Sequence, residues 1–229
     1  MFRLLAVVAV AILVVGCSTP VEEPTTTTTT PFGAETPDAA LRDLLSAVGG
    51  GDVSAANEMT DEDQVALLIA LDGATLAEAV AMIDYGISEA SLSAFWESFK
   101  GAYGRNVGEE LDDMLVATGQ QVTVDGVEFA IVEVALRKQT GQTKWIVRRE
   151  ENGRWRVDLL ATFAPTVALP MRLWLATLPD EPDVRVVRRA IAAQRPSLLT
   201  ALQQHPLGPI SPGVAEQMRG LLVDVGATG

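Results

Sequence analysis

The chain has 229 residues, 48% apolar and 21% charged, the mix of a folding polypeptide long enough for one large or two small domains. Acidic side chains outnumber basic ones 30 to 17, and a net charge of -13 repels a polyphosphate, which disfavours general nucleic-acid binding. One cysteine excludes internal disulfides and cysteine-cluster metal sites, and one histidine leaves little for zinc or for a hydrolase with a histidine base, so neither metal nor cofactor is expected.

Met1-Phe2-Arg3 gives a short positive start, followed by an unbroken apolar run from Leu4 to Val15. As a helix that run reaches roughly 18 Å, short of the roughly 30 Å hydrocarbon core, so it reads as a leader rather than a spanning anchor. Val14-Val15-Gly16-Cys17 resembles the bacterial lipobox, with Val14 where leucine is usual and Leu13 one place earlier. The resemblance implies a lipoprotein signal peptide over 1–17, cleavage after the small Gly16, and a diacylglyceryl group on the Cys17 thiol. Several acyl chains, at about 0.8 kcal/mol per buried methylene, hold a protein stably where one chain is marginal. The competing reading is an ordinary secretory leader with an incidental cysteine. The expected location is thus exported and lipid-anchored, at the outer face of the cytoplasmic membrane or within the cell envelope.

Residues 18–37 hold eight threonines, including the run Thr25 to Thr30, and prolines at 20, 24, 31 and 37. This composition reads as an extended stalk. Thr36-Pro37 then predicts a helix N-cap with proline at the first helical position, and the folded body begins there.

Residues 1–120 carry 19 acidic and 4 basic side chains, and residues 121–229 carry 11 and 13. The pattern of elements changes at the same place. Leu41, Leu44, Leu45 and Val48 form a helical stripe that Gly49-Gly50-Gly51 ends. A short segment follows to Met59. Thr60 is expected to cap a helix bearing Val65, Leu68 and Ile69, with Asp61, Glu62 and Asp63 in its first turn. Thr75 and Glu78 have capping-box spacing. Leu92, Phe95, Trp96, Phe99 and Tyr103 make the strongest stripe, and Leu111, Met114 and Leu115 suggest a further helix.

After Gly119 the period becomes that of strands. Asp125-Gly126 is a strong hairpin signal between Val122-Val124 and a strand from Val127 to Leu136. A turn is expected at Gln139 to Gln142, a strand at Lys144 to Arg149 and a turn at Asn152-Gly153. A last strand from Arg154 would place Trp155, Val157 and Leu159 on one face. Residues 165–229 revert to helix, with Met171, Trp174, Leu175 and Leu178 on one stripe, Val184, Val187 and Ile191 on the next, and a clean pattern after Pro212. Pro196 is expected to interrupt between them. The fold class is α+β: helices packed on a curved antiparallel β-meander over 38–164, then a helical C-terminal extension over 165–229.

A helix with a glycine break, more helices, then a meander closing in Asn152-Gly153-Arg154-Trp155-Arg156-Val157-Asp158 resembles the nuclear transport factor two-like cone fold, also used by ketosteroid isomerase and by many exported actinobacterial lipoproteins. The resemblance covers about residues 37–163, although 60–118 is richer in helix than that family. It implies an apolar pocket, for which Phe95, Trp96, Phe99, Tyr103, Phe129, Trp145 and Trp155 are the candidate lining; the alternative is that they simply fill the core. Enzymes of the family set an aspartate against a tyrosine or protonated acid. Here Asp84 and Tyr85 are adjacent and point apart on a helix, so no catalytic residue is assigned.

The clusters Asp61-Glu62-Asp63 and Glu109-Glu110 with Asp112-Asp113 lack calcium-loop spacing and fit helix starts. His205 precedes Pro206 in a loop. Arg185, Arg188, Arg189 and Arg195, with Lys144, Arg148, Arg149, Arg154 and Arg156, would either meet anionic head groups or pair with the chain's own acids. The function expected is a membrane-anchored envelope lipoprotein acting as a non-catalytic binding or interaction module. The alternatives are a carrier of a small apolar ligand or lipid, an isomerase or hydrolase of the cone-fold class, and a structural element held by its C-terminal helices. The partners expected are the membrane, through Cys17, and a small apolar ligand or an envelope protein, with no nucleic acid.

Overall fold

The computed structural model describes residues 32–107, 114–135, 142–179 and 181–226. Cys17, the stalk, the acidic cluster at 109–113 and most of the turn expected at 139–142 lie outside the described residues.

Among the described residues five helices precede the sheet: α1 (Pro37–Gly50), α2 (Val53–Glu58), α3 (Glu62–Leu71), α4 (Leu76–Tyr85) and α5 (Glu89–Val107). Their ends follow the local chemistry. Thr36 accepts a bond from the Ala39 amide, Pro37 opens α1, and Gly51 closes it at φ 75, where a side chain would be strained. Thr75 and Glu78 form the full capping box of α4. The cap of α3 is Asp61 rather than Thr60: its carboxylate accepts from the Asp63 and Gln64 amides, while the buried Thr60 hydroxyl turns back to donate to the Ala56 carbonyl at 3.2 Å.

Among the described residues four antiparallel strands then form a meander in the order β1 (Leu115–Val124), β2 (Val127–Ala135), β3 (Gln142–Arg149) and β4 (Trp155–Val157). Leu115 opens β1, so the helix expected to use it does not extend there, and strand pairing begins before Gly119. The Asp125-Gly126 hairpin forms as its sequence requires, with φ 54 and 80 at the two turn residues and Val124 opposite Val127. A register shift between Thr118 and Gln121 bulges β1. The closing strand ends at Val157, because Asp158 caps the next helix and Leu159 is that helix's first residue. The outer edge of β4 is covered: Ala34 and Trp155 exchange backbone bonds of 2.9 and 2.8 Å, and the Val157 amide donates to the Met59 carbonyl at 2.7 Å.

The chain finishes in α6 (Leu159–Thr177), α7 (Val184–Ala193), α8 (Arg195–Gln204) and α9 (Pro212–Asp224). The boundary expected at 164/165 falls inside α6, which runs on through Pro165 and Pro170. Pro196 sits in the first turn of α8, where its missing N–H costs nothing. His205 closes α8 in the left-handed region at φ 48.

Alternation along the strands splits the buried side chains. Ala130, Val132, Val134, Trp145, Val147, Trp155 and Val157 meet α1, α2 and α5 in one core. Phe129, Ile131 and Ile146 point to the opposite face, against Ala161 of α6 and the half-buried Leu199 of α8. A further core is entirely helical and joins α3 and α4 to α6 through α9, with Leu67, Leu160, Met171, Ile191, Leu198 and Met218 fully buried. Among the described residues α6 is long and apolar enough to cross a membrane, but its Leu160, Ala164, Ala168, Met171 and Leu175 fill this core.

Candidate functional site

The seven aromatics selected from the sequence do not converge on one cavity. Five of them, Phe95, Trp96, Phe99, Tyr103 and Trp145, form a continuous run between α5 and β3. Phe95 and Trp96 meet edge to face at 4.9 Å between centroids, Phe99 and Tyr103 stack at 5.9 Å, and Tyr103 meets Trp145 at 5.5 Å. The Trp145 indole N–H donates to the Tyr103 hydroxyl at 3.1 Å. Burial raises the Tyr103 phenol above its ordinary pKa, opposed by its bonds to Thr143 and Trp145. Phe129 lies on the other face of the sheet, and Trp155 packs in the main core with the Arg149 guanidinium over its ring.

Phe163 of α6 belongs to the same aromatic run, 5.2 Å from Trp145 and 6.0 Å from Phe99. The sequence hides its place because the strand alternation of Trp155 and Val157 carries on to Leu159. Once Asp158 is read as an N-cap, Leu159, Phe163 and Val167 share one helical face.

Beside this run lies a groove of about 890 Å³ whose walls come from α3, α4, α5 and α6. Leu68 and Met82 form one side, and Phe95, Phe99, Phe163 and Val167 the other. Of the seven selected aromatics only Phe95 and Phe99 face it. Ala94, Ser98 and Ala102 recur every fourth residue along α5 and keep that wall low. Pro170 has no N–H, so the Thr166 carbonyl loses its helical i+4 donor beside the groove. Among the described residues, the charged side chains that line it are Asp72 and Glu78, both acidic.

A buried polar network sits elsewhere, where β3, α3, α6 and α8 meet. Asp158 is 1% exposed and caps α6 by accepting from the Ala161 amide at 2.7 Å. The same carboxylate accepts from Gln64 Nε2 at 3.0 Å and from Ser197 Oγ at 2.6 Å. Gln64 also donates to Gln194 Oε1 at 2.8 Å and accepts from the Leu160 amide at 3.1 Å, so its whole carboxamide is used. Burial raises the Asp158 pKa, with the Arg148 charge and the Ser197 and Ala161 bonds opposing. For Arg148, burial works against the charge, yet Asp158, Asp61 and Glu150 together hold it firmly protonated. Arg148 Nη2 lies 2.6 Å from Asp61 and 3.0 Å from Glu150.

The remaining basic residues are largely engaged inside the molecule. Arg149 pairs with Glu128 at 3.0 Å, Arg172 with Asp224 at 2.7 Å and Arg195 with Asp125 at 2.6 Å. Arg154 Nε donates to the Gly33 carbonyl, Arg156 to the Asn57 carbonyl and Arg188 to the Asp224 carbonyl. In the acidic triplet, Asp61 caps α3 and Glu62 accepts from the Ile87 amide at 3.1 Å, which are structural tasks. No family model matches the chain, and no curated protein or solved structure matches it either.

Proposed function

We propose that this chain is an exported bacterial lipoprotein whose folded body is a non-catalytic binding module, held at the membrane or in the cell envelope by lipid on Cys17. The groove between α3 and α6 is its binding surface. The anchoring rests on the leader, the lipobox-like Val14-Val15-Gly16-Cys17 and the threonine stalk. The binding role rests on one observation: an apolar groove of about 890 Å³, walled by four helices and bordered by aromatic side chains. That is within the usual range of about 300–1,000 Å³ for ligand sites. A bulged four-stranded meander carrying α1, α2 and α5 on one face supports the cone-like reading, with the helices after it as an appended layer.

A carrier of a small apolar ligand is the second reading, favoured by the same volume. An isomerase or hydrolase draws less support, because the deeply buried carboxylate, Asp158, spends its bonds on Gln64, Ala161 and Ser197 and does not line the groove. Mass spectrometry of the mature chain extracted from its host's membranes tests the proposal. The expected result is an N-terminal Cys17 carrying acyl chains. A recovered chain with its leader intact and its thiol bare contradicts the anchoring.

A further inference from the structure

We infer that the groove receives a basic amphipathic helix from a partner protein; this rests on the groove being the binding surface. Between Arg42 and Lys100 the sequence contains no lysine, arginine or histidine, and this stretch supplies α3, α4 and the first half of α5. Two of the four walls and the first half of a third therefore stand in a field of one sign, with Lys100 and Arg105 on the second half of α5. Asp72 and Glu78 face the groove, while Asp84, Glu89 and Glu97 lie on the same wall helices. An anionic ligand, such as a fatty acid or a phospholipid head group, is repelled there, and a cationic partner is drawn in.

The shape selects among cationic partners. The groove opens along its length, with Ala81, Ala94 and Ser98 of its lining exposed to solvent, so it is a trough rather than an enclosed cavity. An apolar floor of leucine, methionine and phenylalanine with Asp72 and Glu78 on its α3–α4 side suits a helix that carries apolar residues on one face and lysine or arginine on the flank that meets those acids. Ala94, Ser98 and Ala102 along α5 let another helix backbone approach closely. At the end of α4, next to the groove-lining Gly86, Tyr85 is 88% exposed. An exposed tyrosine beside an apolar trough is the type of side chain that anchors protein interfaces.

The test uses the mature chain in nanodiscs of zwitterionic lipid, with empty nanodiscs as the blank. The probe is a synthetic leucine–lysine peptide of about 18 residues, patterned at helical spacing. Fluorescence anisotropy compares it with a scrambled peptide of the same composition and with a glutamate-for-lysine analogue. The expected result is binding at least about tenfold tighter for the patterned basic peptide, weakening with salt. Tyr85→Ala and Ala94→Trp, both at exposed positions, should each lower that affinity about tenfold at unchanged thermal stability. Equal binding of the scrambled peptide, or no effect of Ala94→Trp, overturns the inference. If the neutral dye Nile red enters the groove and the patterned peptide does not bind, the binding surface stands and the helical partner falls. If neither binds, both fall.

Discussion

Gln64 Nε2 donates to Asp158 Oδ1 at 3.0 Å, and this contact joins residues 94 positions apart, from the start of α3 to the cap of α6. The two are fully buried, so their hydrogen bonds form without competition from water. Through Ser197 and Gln194 the same cluster reaches α8. Asp158→Ala removes the α6 cap and leaves the Ser197 hydroxyl and one Gln64 N–H without their acceptor, while Arg148 keeps Asp61 and Glu150, and it should cost about 3 kcal/mol or more. Gln64→Leu should cost somewhat less, about 2 kcal/mol, because the Leu160 amide, Asp158 and Gln194 each lose one partner. Urea denaturation of the two single variants and the double variant checks this, with clear non-additivity expected.

The pH dependence follows from the direction of the Asp158 shift. Burial raises its pKa in the folded chain above the ordinary carboxylate value of about 4, so the folded state holds the proton more tightly than the unfolded one. Its contribution therefore favours the fold below that value and is lost as pH rises through it toward the folded pKa. Asp158→Asn has no such titration. Relative to wild type, the Asn variant should gain stability as pH rises above about 4, and a difference that stays flat or shrinks would disprove this assignment.

Gly33 holds the segment that covers β4. Its φ is +88, and a Cβ there would lie 2.8 Å from the Trp155 carbonyl oxygen, which is backbone and has little room to yield. Gly33→Ala should destabilise by about 1–3 kcal/mol. Amide exchange at Ala34 and Trp155, which exchange backbone bonds across that edge, should accelerate more than exchange in α9.

Tyr103→Phe leaves the Trp145 indole N–H without its acceptor in a 1% exposed residue, at a cost of about 1–2 kcal/mol. Thermal unfolding gives the loss, and a shift in tryptophan emission should accompany it. In the wild type the Tyr103 phenol should ionise above about pH 10, because burial disfavours the phenolate.

Much of the helical and hairpin structure was legible in the residues themselves. Thr36-Pro37, Thr75 with Glu78, Asp125-Gly126 and Pro212 each impose a local geometry that tertiary contacts did not override. The errors lie where two local signals compete. Asp158 reads as the outward residue of an alternating strand, yet its carboxylate caps α6 from a buried position, and that single choice hid Phe163 and the α6 wall of the groove. Thr60 and Asp61 are both good caps, and the aspartate took the role because Thr60 is enclosed beside β4. Gln64 was marked only by being polar at the edge of an apolar stripe. The aromatic stripe of α5 was visible, but periodicity alone does not say which of its members fill a core and which border a groove. The meeting of α5 and α6 decides that, and it depends on contacts distant in sequence.

Nile red titration of the chain and of its Ala94→Trp and Ser98→Trp variants tests the binding surface most directly. Both positions are exposed in the groove wall, so the larger side chains should fill the trough without disturbing the cores. Saturable dye binding to the wild type, weakened about tenfold or more in both variants at equal thermal stability, is the expected result. Equal dye affinity in all three proteins would contradict the assignment of the groove.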